Sequence, residues 1–84
     1  MKISVEISLY PLEKNYIPPI QAFIDRLNDY DDIKVIENTM STQVYGPYDK
    51  VFEILNTECK RTHTNTPKAA FMIKLLHGDL SPNA

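Results

Sequence analysis

The sequence predicts an α+β fold of the ferredoxin-like kind, a split βαβ arrangement in which a four-stranded antiparallel sheet carries two helices on one face. Three observations predict it. Residues 2–10 alternate, with Ile3, Val5, Ile7 and Leu9 on one side and Ser4, Glu6, Ser8 and Tyr10 on the other, the period of two that marks a half-buried strand. Ile20, Phe23, Ile24 and Leu27 fall at i, i+3, i+4 and i+7, which is one apolar helical stripe. Two short apolar runs, Val35-Ile36 and Val44-Tyr45, flank a polar bend of Asn38, Thr39, Ser41 and Thr42, residues whose amides and hydroxyls favour turns. With a second helix and a last strand after them, the order is β-α-β-β-α-β.

Each element has its own warrant. Pro11 ends the first strand because proline cannot donate to the ladder and restricts the residue before it, and residues 11–17 form a loop. Pro18-Pro19 open the first helix, where a missing N–H costs nothing and φ is already helical; it runs to about Tyr30. The acidic stretch Asp29-Tyr30-Asp31-Asp32 breaks the pattern. Residues 33–38 make the second strand and 43–45 the third, closed by Gly46-Pro47. A second helix starts near Tyr48-Asp49, its early acid favourable to the dipole, and carries Val51, Phe52, Leu55 and Cys59 inward. Residues 62–67 read as a polar connector. Residues 68–76 are apolar almost throughout, as suits a strand buried on both faces. One domain spans residues 1–77, and 78–84 make a loose tail.

Composition narrows the function. An 84-residue chain buries a smaller share of its surface than a larger one, so self-association would help it. The net charge of −2 and scattered Lys and Arg argue against a nucleic-acid partner, which asks for a basic stripe. Cys59 is the one cysteine; it excludes an internal disulfide and points to a reducing compartment, the cytoplasm. No apolar stretch reaches the length of a membrane span, and the chain opens directly into a strand rather than a signal peptide. His63 and His77 lack zinc spacing. Asp29, Asp31 and Asp32 lack the oxygen spacing and glycine of a calcium loop. No metal or other cofactor is implied.

Val5-Glu6-Ile7-Ser8-Leu9-Tyr10-Pro11-Leu12, Ile17-Pro18-Pro19-Ile20 and Asn38-Thr39-Met40-Ser41-Thr42, followed by Val44 and Gly46, are the strings on which the chain resembles the YkoF-like family of thiamine- or hydroxymethylpyrimidine-binding proteins. The likeness spans most of residues 1–76. It implies a binding protein rather than an enzyme, assembling through its sheets into homodimers or homotetramers and taking up thiamine or a pyrimidine precursor. Where some family members hold two copies of the domain in tandem, this chain holds one, so a pocket between copies must draw on another subunit.

The expected site lies where the polar face of the first strand meets the bend. Glu6, Ser8, Asn38, Ser41 and Thr42 supply its polar groups, because an aminopyrimidine presents an amine donor beside ring-nitrogen acceptors and asks for a carboxylate or carbonyl next to a hydroxyl. Glu6 or Glu37 would complement a cationic thiazolium, and Tyr10 or Tyr45 would offer it a π face. A plainer reading stands beside each. Ser41 and Thr42 can satisfy their own turn, Tyr10 and Tyr45 can be rim packing, Glu6 must stay wet or meet a donor, and Cys59 is core. The rival functions are a regulatory or scaffolding oligomer without a small ligand, an acylphosphatase-like hydrolase, for which residues 11–17 offer neither a glycine-rich nest nor an arginine, and an RNA-recognition domain, which needs more strand aromatics and a basic surface.

Overall fold

The computed structural model describes residues 1–82. The elements are β1 (Lys2–Pro11), α1 (Ile17–Asn28), β2 (Lys34–Glu37), β3 (Thr42–Pro47), α2 (Tyr48–Asn65) and β4 (Ala69–His77). All strand pairs are antiparallel, in the spatial order β2-β3-β1-β4. This is the β-α-β-β-α-β order read from the sequence, with β1 and β3 in the middle. The last two residues of the expected loose tail lie outside the described residues.

Register fixes the faces. Ile3, Val5 and Ile7 stand opposite Gly46, Val44 and Thr42, and these positions face the helices. Ile3, Val5, Ile7 and Leu9 pack with Phe23 and Leu27 of α1, Val44 of β3, and Val51, Ile54 and Leu55 of α2 to make the core. Gly46 makes room for its neighbours: a Cβ there would stand 3.0 Å from Ile33 Cγ2 and 3.2 Å from Val51 Cγ2, so those side chains would have to give way. Pro47 ends β3, and the N–H of Tyr48 finds the carbonyl of Met1 at 2.8 Å, so an orphan donor at the start of α2 is satisfied by the neighbouring strand end.

Four expectations give way. Phe52 is turned outward against Tyr48, their ring centroids 5.0 Å apart, while Ile54 is buried in its stead; a stripe set by Val51 and Leu55 passes through i+3, not i+1. Residues 62–65 are the end of α2, not a connector, because the hydroxyl of Thr62 is buried and accepts a hydrogen bond from Arg26 Nη2 at 2.7 Å. Strand β4 is a sheet edge and is exposed over most of its length, so its apolar run is not buried on both faces. The stretch after β4 is tied down rather than loose. Gly78, at φ 97°, turns the chain back, its N–H bonding the carbonyl of Lys2; Ser4 Oγ donates to the carbonyl of Gly78 at 2.7 Å and accepts the N–H of Leu80 at 2.8 Å. Lys34 Nζ then reaches the carbonyl of Pro82 at 3.1 Å. This strap crosses from the β4 edge toward the β2 edge and buries Ser4 and Tyr45 on the side away from the helices.

Between the helices lies one buried polar cluster. Glu58 accepts Arg26 Nε at 2.7 Å and the Tyr30 hydroxyl at 2.6 Å, and Arg61 stands 3.6 Å away. Burial pushes the Glu58 carboxyl up, but the hydrogen bonds from Tyr30 and Arg26, with the two guanidinium charges, outweigh it and hold the carboxyl below its ordinary range.

Candidate functional site

The turn from β2 to β3 closes on a hydrogen bond from the N–H of Asn38 to the carbonyl of Ser41, 3.0 Å. It overhangs the far end of β1, whose Ser8 hydroxyl holds the carbonyl of Met40 at 3.3 Å. Between the turn, β1 and α1 a cleft of about 100 Å³ opens. Its apolar wall is Ile7, Leu9, Ile20, Phe23 and Ile24, and its polar groups are Ser8, Asn38, Ser41 and Thr42, with Tyr10 and Met40 at the mouth. Tyr10 is half exposed and Met40 almost wholly so. The cleft's make-up is apolar walls with hydroxyls and an amide at the rim.

A second depression, of about 200 Å³, lies next to it on the uncovered side of the sheet. Ser4, Glu6, Gln43, Tyr45, Lys74 and Leu76 line it, and Leu80 of the strap gives it a wall. Glu6 stands between the two. Its Oε2 accepts the Ser41 hydroxyl at 3.0 Å and its Oε1 pairs with Lys74 Nζ at 3.2 Å. The hydrogen bond from Lys74, then that from Ser41, hold its carboxyl below the ordinary carboxylate range. Glu6 therefore remains ionised and fixes the rotor of Ser41, whose hydroxyl proton is committed and whose free lone pairs are acceptors.

The sequence-derived residues are thus divided. Ser8, Tyr10, Asn38, Ser41 and Thr42 line the cleft; Glu6 and Tyr45 line the groove. Tyr45 is 7% exposed under the strap, and Thr42 points to the core side. Glu37 is set apart from both depressions: opposite Thr42 in the ladder, it faces the helix side of the sheet and is exposed there. A one-residue step along a strand reverses its direction, which separates Glu37 from Glu6. Sequence reasoning missed Lys74, Gln43 and Leu80. Lys74 left a signal, as the sole charge in the apolar run of residues 69–76 and at the position opposite Glu6; the strap left none.

Other reactive groups lie elsewhere. His63 Nε2 contacts the carbonyl of Ala69 at 2.9 Å and its ring stands edge-on to Phe71. Burial, and then the charge of Glu58, push the Cys59 thiol up to about 11. Among the described residues no three His, Cys, Asp or Glu side chains are grouped to hold a metal ion, and no helix is long and apolar enough to cross a membrane.

Fold and site define a small α+β protein whose antiparallel sheet carries a polar cleft at one end and a charged groove beside it. The chain belongs to the YkoF-related family, whose model matches residues 2–80. No curated protein matches the sequence. Among solved structures it is similar to a protein of Streptococcus pneumoniae (TM-score 0.87, 20% identity, 95% of this chain and 90% of that one). It is also similar to a candidate thiamine biosynthesis/salvage protein of Thermotoga maritima (TM-score 0.84, 12% identity, 93% and 85%). A hypothetical protein of Methanocaldococcus jannascii shares the fold as well (TM-score 0.80, 21% identity, 99% and 87%). At these identities the likeness is one of fold.

Proposed function

We propose that this protein is a non-catalytic, cytoplasmic binder of thiamine or of its hydroxymethylpyrimidine moiety, acting as a homo-oligomer. The observation that carries the reading is the hydrogen bond from Ser41 to Glu6 at the border of the cleft. With its proton held by Glu6, Ser41 meets an incoming amino group as an acceptor, and the Asn38 side chain can serve a ring nitrogen as donor or acceptor. The family, and the role suggested for the Thermotoga relative, support the same ligand class. In this reading Glu6 orients the Ser41 hydroxyl for ligand contact.

Ligand pockets usually enclose about 300–1,000 Å³, more than the cleft's 100 Å³ or the groove's 200 Å³, so a second copy supplies the missing wall. The test is calorimetric titration of thiamine and hydroxymethylpyrimidine into wild type, Glu6→Gln and Ser41→Ala, each checked for intact folding. Losing the charge-assisted bond should weaken binding by about 1.5–3 kcal/mol. Unchanged affinity in both variants would move the pocket elsewhere, and a wild type that binds neither compound would leave an assembly-only protein.

A further inference from the structure

The groove beside the cleft has a chemistry of its own. Three lysines, Lys2, Lys34 and Lys74, project on the uncovered side of the sheet against two carboxylates, Glu6 and Asp79, in a chain whose net charge is −2. That side is the cationic one. Asp79 answers Lys2 and Lys34 at the strap end, which leaves the pair of Glu6 and Lys74 at the groove's centre. Both oxygens of Glu6 are taken, one by Lys74 and one by Ser41, so the carboxylate offers little to a cation. Lys74 is different. Its side chain is 66% exposed, and an ammonium has three N–H groups, so it has donors to spare while it holds Glu6. Gln43 lines the far side of the groove, across Glu6 from Lys74.

Resting on the reading of the cleft as a pyrimidine site, we propose that the Lys74 side of the groove is an anion subsite in which the spare N–H groups of Lys74 receive a phosphate carried on the pyrimidine's hydroxymethyl group. Ser41 lines the cleft and Glu6 the groove, and their hydrogen bond joins the two, so a ring seated against Ser41 can send a short substituent past Glu6 toward Lys74. Glu6 keeps Lys74 aimed, and Ser41 keeps the ring edge in register with it. The preferred ligand is then a phosphorylated aminopyrimidine, and the cationic thiazolium of thiamine is the weaker match for this half of the site.

Calorimetric titration of the hydroxymethylpyrimidine and of its monophosphate into wild type, Lys74→Gln, Lys74→Arg and Ser41→Ala tests this, with thermal unfolding as the check on folding. Wild type should bind the monophosphate about tenfold more tightly than the alcohol. Lys74→Gln should erase that preference, Lys74→Arg should keep it, and Ser41→Ala should weaken both ligands alike. If the alcohol binds wild type as tightly as the monophosphate, or if the preference survives Lys74→Gln, the anion subsite is wrong and the pyrimidine cleft stands. If neither compound binds wild type, the pyrimidine reading fails and the subsite falls with it.

Discussion

At the scale of single residues, two side chains of opposite character hold α1 to the rest of the molecule. Leu27 is wholly buried in the core, and Leu27→Ala should cost about 2–5 kcal/mol in chemical denaturation. Ser41→Ala, at a partly exposed turn, should cost far less, since its role is to present a lone pair. Glu58 is the polar counterpart, 1% exposed with both oxygens bonded. Glu58→Ala takes the carboxylate partner from Arg26 Nε and from the Tyr30 hydroxyl, while Arg26 Nη2 keeps Thr62, and should cost about 3–5 kcal/mol. Because the folded-state pKa of Glu58 lies below its unfolded value, the stability it contributes is fully present above the unfolded pKa and is lost as pH falls through the folded one. Melting curves taken on the acid side of neutrality should therefore decline less steeply for Glu58→Gln than for wild type. The cluster was not legible in the sequence, because Arg26, Tyr30, Glu58 and Thr62 come from α1, the turn after it and α2, and each alone reads as a solvated position. The site was half legible: the density of hydroxyls in residues 38–42 marked the cleft, whereas Lys74 and the strap reach the groove from the far end of the chain.

At the scale of elements, alternation and stripes were enough wherever one face alone is buried. β1 has a single apolar face, so its period of two survived into the structure residue for residue, and α1 kept its stripe of Phe23, Ile24 and Leu27. Helix α2 was read one position out of phase at Phe52 because adjacent apolar residues, Val51-Phe52 and Ile54-Leu55, permit more than one stripe. The structure chooses Ile54. Ile54→Ala should cost about 2–5 kcal/mol, while Phe52→Ala should stay near the ~0.5–1.5 kcal/mol worth of an aromatic pair, here with Tyr48. Equal losses in the two variants, measured by denaturant midpoint, would restore the stripe through Phe52. The reading of β4 failed for a reason outside its own sequence. A continuous apolar run suits both a central strand and an edge strand that meets another chain, and strand order separates the two.

At the scale of the whole molecule, that edge is the largest unresolved demand the sequence makes. Met72 is 64% exposed, and Ile73, Leu75 and Leu76 between 44% and 46%, on a nine-residue edge strand whose outer backbone groups lack a neighbouring strand. An exposed apolar edge of that length templates pairing with another chain, and the ordinary guards are thin here, since Lys74 is the one charge within it and already serves Glu6. The opposite edge differs: β2 is four residues long and is flanked by Lys34 and Glu37. Association should therefore run through β4, and a second copy is the partner whose edge is complementary in kind. It would bury Met72 and Leu76 beside the groove that holds Lys74, so that on the proposed function assembly would also help complete the ligand site. Light scattering at micromolar protein should give at least a dimer, with a melting temperature that rises with concentration. A Met72→Glu/Leu75→Lys variant, charged on both faces of the edge, should scatter as a monomer with its circular dichroism intact and should bind the pyrimidine ligand more weakly. A wild type that is monomeric at every concentration, or a monomeric variant with full affinity, would mean that one chain alone makes the pocket.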